Sequence, residues 1–366
     1  METKPTLLGS SMAVAVPFVQ ELAKKPLTSV PPRYVRPHDE DASVISLNSS
    51  SSQIPVIDIQ KLLSADFSDS ELQKLHHACK EWGFFQLINH EVSSCLVEKL
   101  KSEVDNFFKL PIEEKNKYRQ HPGDIEGYGN NFVVSEQQKL DWGDMFALTT
   151  LPTHLRKPHL LPKLPLSFRE TLEAYSAELK TLSTKILKLM AKALRIEENE
   201  MSVLLEEEWQ TMRLNYYPPC PQPELVVGLC PHSDGSGITI LLQVSEVEGL
   251  QIRKDGMWIP VKPLPNAFII NVGDSLEILT NGIYRSVEHR ATVNSLKERL
   301  SVATFCSPRL DGEMGPAPSL ITPETPAMFK RIRSEDFYKG RFSRKLDRKS
   351  YLETVRIQNG GGNTNI

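Results

Sequence analysis

From Gln210 to Pro308 the chain runs as short β-branched and aromatic stretches broken every few residues by Gly, Pro or Asn, as in VEGLQIRKDGMWIPVKPLPNAFIINVGDSLEILTNGIYRSVEH. Regular spacing of this kind predicts strands that close into a sandwich or a jelly-roll barrel. Lys254-Asp255-Gly256 supplies a hairpin turn, because Asp-Gly accepts the left-handed backbone that a tight turn needs. Upstream the period changes. Between Pro165 and Glu200, the residues Phe168, Leu172, Tyr175, Leu179, Leu182, Ile186, Leu189 and Ala193 recur at steps of four and three, which predicts one long helix with a single apolar face. That face is read as core packing that braces a sheet, so the expected fold class is mixed α and β.

Towards the N-terminus, IPVIDI at Ile54–Ile59 reads as a strand. Ser68–Lys80 reads as a helix with Ser70 as its N-cap and Gly83 at its end. A strand at Phe84–Asn89 and a helix at Ser94–Leu110 stopped by Pro111 follow. Residues 37–53 are polar and serine-rich and are expected to be a mobile connection, Val16–Lys24 a short amphipathic helix packed on the body, and the tail NGGGNTN disordered. These features divide the chain into an N-terminal extension (1–53), an α/β region (54–200), a strand-rich core (201–310) and a C-terminal helical region with its tail (311–366).

A chain of 366 residues with 40% hydrophobic content can bury a substantial core. The net charge of −3 and scattered basic residues argue against nucleic-acid binding. The five cysteines (Cys79, Cys95, Cys220, Cys230, Cys306) are odd in number and form no C-x-x-C pair, which argues against a disulfide framework and a zinc knuckle and suits a reducing compartment. No apolar run approaches the roughly 20 residues of a membrane span, and the N-terminus lacks the pattern of a secretory signal. A monomer in the cytoplasm, without membrane or nucleic-acid partners, is the expectation.

The chemistry lies in the strand-rich part. His232-x-Asp234, then His289, are two imidazoles and a carboxylate, a set that holds non-haem Fe(II) on one face and leaves the other open. Side chains alternate along a strand, so His232 and Asp234 converge. In ERLSVATFCSP the same rule puts Arg299, Ser301, Ala303 and Phe305 on one face and Leu300, Val302 and Thr304 on the other. A cation, a hydroxyl and an aromatic ring on one face suit a pocket that anchors a carboxylate. Each element alone is as well explained by an ordinary surface or core residue; their order and spacing together are not.

Beyond these residues, IPVIDI, ACKEWGFFQLINH, EGYG, RLNYYPPCPQPE, GLQIRKDGMW, INVGDSLEILTNGIYRSVEHR and ERLSVATF resemble the plant 2-oxoglutarate- and Fe(II)-dependent dioxygenases that include flavonoid, gibberellin and alkaloid oxidases. The resemblance runs from about Ile54 to Ile357. FVQELAK, SLITPETPAMFKR and SRKLDRKSYLE are most similar to the senescence-related oxygenases and poppy alkaloid O-demethylases. It implies a double-stranded β-helix, or jelly roll, with flanking helices. It also implies iron ligation by His232, Asp234 and His289, and 2-oxoglutarate held at its far carboxylate by Arg299 and Ser301, with Tyr217 and Asn215 in contact. O2 would be the oxidant and ascorbate a reductant. The implied reaction hydroxylates or oxidatively O-demethylates a small aromatic substrate, with release of succinate and CO2. Phe305 matches a phenylalanine that stacks on substrate, and parts of 127–146 are expected to line the substrate side, to form a lid or to pack in the core. Flavonoid-acting relatives carry a Glu where Ser307 stands, which favours less hydroxylated substrates such as methoxylated alkaloids over flavonoids, phenylpropanoids or hormones. From the residues alone three alternatives stay open: a zinc hydrolase, which lacks H-E-x-x-H here, a non-redox jelly-roll metalloenzyme, and a non-catalytic small-molecule binding protein.

Overall fold

The computed structural model describes residues 16–36, 53–121, 123–130, 133, 135–344 and 349–358. Residues 37–52 of the expected connection and the NGGGNTN tail lie outside them. Among the described residues twelve strands form the two main sheets: β1 (Val56–Asp58), β2 (Phe84–Ile88), β3 (Gly127–Gly129), β4 (Asp144–Leu151), β5 (Trp209–Tyr217), β6 (Leu229–His232), β7 (Ile238–Gln243), β8 (Leu250–Lys254), β9 (Met257–Pro260), β10 (Phe268–Val272), β11 (His289–Ala291) and β12 (Arg299–Ser307). The larger sheet has the order β1-β2-β10-β7-β12-β5-β4-β3, and a four-stranded sheet has the order β6-β11-β8-β9.

Alternation sets what each face does. Leu300 and Val302 of β12, Leu214 and Tyr216 of β5, and Ile238 and Ile240 of β7 enter the main core with the helices. Their neighbours on the opposite face look toward the smaller sheet. The expected long helix spans Phe168–Leu194 and buries Phe168, Leu172, Tyr175, Leu179, Leu182, Ile186 and Leu189, while Ala193 is half-buried. Leu187 and Met190 are buried as well, so the apolar stripe is wider than its periodic residues indicate. Each fully buried residue of this size contributes about 1.5–3 kcal/mol. The helix stops at Arg195, whose φ of 58° is left-handed. The hairpin falls where Asp-Gly predicts it, with φ of 51° at Asp255 and 80° at Gly256 and Lys254 paired to Met257.

Two local expectations are corrected. Ser70 does not cap its helix: the helix begins at Ser68 behind Phe67, whose carbonyl accepts the first turn's bond from Glu71, and the Ser70 hydroxyl donates back to the same carbonyl at 3.1 Å. The strand expected over Ile54–Ile59 is limited to Val56–Asp58, because the Asp58 carboxylate accepts from the backbone of Gln60 and Lys61 and starts a helix at Ile59. Gly83 does end its helical segment, with φ of 60°, where a Cβ would lie 2.2 Å from the Arg285 carbonyl oxygen.

The short N-terminal helix spans Val19–Ala23 and is tied to the body by a carboxylate far along the chain. Asp144 accepts from the backbone N–H groups of Val19 and Gln20, both at 2.8 Å. These are donors that a helix start leaves unsatisfied. Asp144→Ala is expected to cost about 1–2 kcal/mol, as loss of a helix cap does, and a lower midpoint in urea denaturation checks it.

Candidate metal centre and its pockets

His232 and His289 come from neighbouring strands. They face each other as register partners across β6 and β11, with ring centroids 4.3 Å apart. Asp234 lies just past the end of β6, yet its side chain comes to the same side as the two imidazoles. Its Oδ1 is 3.5 Å from Nε2 of His232 and 3.6 Å from Nε2 of His289. One donor atom from each of the three lies within 4.8 Å of the others, and all three side chains are buried.

Surrounding groups aim these atoms. Nδ1 of His232 lies 2.8 Å from the Cys230 carbonyl and Nδ1 of His289 lies 3.1 Å from that of Val287. With Nδ1–H donating to a carbonyl, each Nε2 lone pair is directed at the shared point. The other carboxylate oxygen of Asp234 accepts from Thr239 Oγ1 at 2.7 Å and Asn271 Nδ2 at 2.8 Å, so Oδ1 is left for the imidazoles. Burial works to raise the Asp234 pKa, but His289 and His232 outweigh it and hold the carboxyl well below its usual range. Burial, and then the neighbouring His232, pushes His289 down to about 4. At neutral pH the site therefore offers an anionic carboxylate and a neutral His289 imidazole, the protonation states that metal ligation requires.

The expected face of β12 is realised. Arg299, Ser301, Ala303 and Phe305 line one cavity with His232, Asp234 and His289. Arg299 pairs in register with Tyr217 and Ser301 with Asn215. The Asn215 amide donates to Ser301 Oγ at 3.3 Å, and the Arg299 guanidinium sits 5.4 Å from the Tyr217 ring centroid. Tyr216, between them, points into the main core and stacks on Phe108. Arg299 is 2% exposed, and its Nη2 donates to Gln243 at 2.8 Å. Among the described residues its Nε and the Oδ1 of Asn215 have no partner, and no carboxylate lies within ion-pair distance of Arg299. Burial lowers the pKa of Arg299, but a guanidinium stays cationic. A buried cation without an anion is costly, so this pocket fits a carboxylate ligand.

A second cavity opens from His232 and Asp234 between Trp209, Phe305, Tyr338 and Phe342, with Ser307 in its wall. Phe305 borders both cavities. Of the readings open for 127–146, the described part does not line this cavity and follows the packing one: Tyr128, Trp142 and Phe146 pack into cores, and the flanking Ile125, Glu126, Ala147 and Leu148 contribute to the wall. Sequence reasoning also missed several residues. Arg213 borders both cavities and has the same strand parity as Asn215 and Tyr217, a signal that alternation offered. Asn271, a lone amide within FIINV, was a second such signal. Thr239, Tyr338 and Arg341 carried none.

The chain belongs to the 2-oxoglutarate–Fe(II) oxygenase superfamily. That family's model matches residues 208–308, and the model for the N-terminal region of non-haem dioxygenases in morphine synthesis matches residues 54–164. Among curated proteins the chain is 58% identical over 361 residues to oxoglutarate-dependent flavonoid 7-O-demethylase 1 of Ocimum basilicum, covering 98% of this chain and 96% of that one. It is 56% identical over 361 residues to codeine O-demethylase of Papaver somniferum, covering 98% and 100%. The crystal structure of JOX2 in complex with 2OG, Fe and JA superposes with a TM-score of 0.86 at 36% identity, covering 95% of this chain and 100% of that one. The core is accordingly the double-stranded β-helix of this family, and the chain is an oxidoreductase that uses Fe(II) and 2-oxoglutarate. No helix of the described residues is long and apolar enough to cross a membrane.

Proposed function

We propose that the protein oxidatively removes an O-methyl group from a small methoxylated aromatic molecule. The observation that carries this reading is the aromatic cavity of Trp209, Phe305, Tyr338 and Phe342 opening directly onto His232 and Asp234. A methoxylated alkaloid is the substrate favoured, because Ser307 puts a hydroxyl where flavonoid-acting relatives carry a Glu, and the Glu126 carboxylate that also borders the cavity is taken up by the Thr149 N–H and Lys157. A methoxylated flavonoid is the second reading, supported by the 58% identity to a flavonoid 7-O-demethylase.

In this reading His232, Asp234 and His289 hold the iron. Arg299 and Ser301 bind the far carboxylate of 2-oxoglutarate through a guanidinium fork and a hydroxyl, which gives charge and direction together. Tyr217 and Asn215 frame the same ligand, and Phe305 stacks on the substrate ring. When bound, the metal and cosubstrate would supply the oxidation, in which one atom of O2 enters a substrate C–H bond and the other enters succinate as 2-oxoglutarate loses CO2. The protein positions the methyl group at the open face and keeps bulk water out. A hydroxylated O-methyl group is a hemiacetal, which collapses to a phenol and formaldehyde. The reading takes the protein as a cytoplasmic monomer without nucleic-acid or membrane partners. It divides the chain at about 54, 200 and 310, boundaries supported by the two family matches at 54–164 and 208–308.

Phe305→Ala is expected to raise the KM for the aromatic substrate by about tenfold, the size of a lost ring contact, while the KM for 2-oxoglutarate stays unchanged. Steady-state kinetics with each substrate varied in turn checks the split. The reaction is tested by aerobic incubation with Fe(II), ascorbate and 2-oxoglutarate against methoxylated alkaloids, flavonoids and phenylpropanoids, read by mass spectrometry. Loss of a methyl with formation of formaldehyde supports the proposal. A product that keeps its methyl groups and gains an oxygen overturns it in favour of simple hydroxylation.

A further inference from the structure

The loop that carries Asp234 is held from outside by the helix Ser334–Phe342, far away in sequence. Nη1 of Arg341 forms an ion pair with Asp274 Oδ2 at 3.0 Å, with 9% and 0% of the two side chains exposed, and its Nη2 donates to the Ser233 carbonyl. Asp274 in turn donates its backbone N–H to the carbonyl of Asp234 itself at 2.7 Å and accepts from Ser233 Oγ at 3.1 Å. One turn earlier on the same helix, Tyr338 Oη donates to the Gly235 carbonyl at 3.0 Å, and Ser275 Oγ donates to that carbonyl at 2.6 Å. The helix packs so closely that a Cβ on Gly235 would lie 2.7 Å from Arg341 Cδ. Every carbonyl from Ser233 to Gly235 is therefore fixed by Arg341, Tyr338 or the Asp274–Ser275 corner.

We infer that Arg341 is a positioning residue for the metal-binding carboxylate: it acts through Asp274 and the Ser233 carbonyl to hold Asp234 at the angle that iron requires. A carboxylate ligand fixed only at its Oδ2, by Thr239 and Asn271, could still swing with its backbone. The Arg341–Asp274 pair removes that freedom. The pair is buried, so loss of the cation leaves Asp274 charged with only the Ser233 hydroxyl on Oδ2, and the corner that grips Asp234 loosens. Tyr338, Arg341 and Phe342 also border the cavity beside the metal, so the element that steadies the carboxylate is a wall of the substrate site. This inference rests on the iron reading of the triad.

The test compares wild type, Arg341→Met, Arg341→Lys, Tyr338→Phe and Asp234→Ala. Fe(II) affinity is measured anaerobically by competition with a colorimetric chelator, and the melting temperature is measured on metal-free protein. Arg341→Met is expected to weaken iron binding by about 10–100-fold, the usual effect of losing a group that orients a ligand. Arg341→Lys is expected to recover part of that loss, and Tyr338→Phe to weaken binding by a few-fold. A role confined to stability would lower the metal-free melting temperature and leave the iron affinity at the wild-type value. That result in the Arg341 and Tyr338 variants overturns the inference. If wild type and Asp234→Ala bind iron alike, the iron reading fails as well; if only Asp234→Ala loses iron, the iron reading stands and the role of Arg341 falls.

Discussion

Asp234→Ala is expected to abolish iron retention and turnover together while the chain stays folded. Asp234 is the anionic member of the donor set, and its Oδ1 faces both Nε2 atoms at 3.5 and 3.6 Å. Two imidazoles on adjacent strands remain, a set that binds Fe(II) weakly and brings no anionic ligand to its charge. The metal supplies several kcal/mol of stabilisation to the reaction, so product formation should fall by at least about 10³-fold. The fold should tolerate the change, because the strand pairing of β6 and β11 does not depend on the carboxylate. Iron content by elemental analysis and circular dichroism on one preparation separate the two effects.

Arg299→Leu is expected to act on the cosubstrate alone, and with opposite signs on binding and stability. Each hydrogen bond from a charged donor to a carboxylate is worth about 1.5–3 kcal/mol, so losing the guanidinium fork should raise the KM for 2-oxoglutarate by about 10²-fold or more. Iron affinity should be unchanged. In the cosubstrate-free protein Arg299 is a buried cation without a carboxylate among the described residues, so a shorter apolar side chain removes a charge penalty that offsets the space it leaves. The melting temperature without 2-oxoglutarate should then hold or rise, and the increase produced by adding 2-oxoglutarate should shrink. A drop in the ligand-free melting temperature with an unchanged KM would mean that Arg299 serves the fold instead.

The parts of the molecule legible in the sequence are those governed by local periodicity. The stripe from Phe168 to Leu189 reports a helix face, and the parity of Arg299, Ser301 and Phe305 reports which side of β12 looks into the site. Parity also separated Asn215 and Tyr217 from Tyr216. The same rule predicted that His232 and Asp234 converge, and they do, although the strand ends at His232. What it could not supply was pairing between distant strands. Nothing in YRSVEHR says that His289 lies opposite His232; order and spacing made it a candidate, and the whole-chain resemblance joined the two. Most orienting groups were hidden for the same reason: Thr239, Tyr338 and Arg341 reach the metal loop through tertiary contacts that leave no periodic trace, and only Asn271 showed, as a lone amide within FIINV. Ser70 and Ile54–Ile59 failed at element ends, where a single competing hydrogen bond decides the boundary.

Anaerobic titration of metal-free protein with Fe(II) and then 2-oxoglutarate tests most directly whether His232, Asp234, His289, Arg299 and Ser301 build one iron and cosubstrate site. One Fe(II) per chain should bind. The visible charge-transfer absorption of a 2-oxo acid chelating Fe(II) should then appear only when both are present; it should be lost in Asp234→Ala and shifted to much higher 2-oxoglutarate concentration in Arg299→Leu. An absorption that develops equally in wild type and both variants would contradict the assignment of the site.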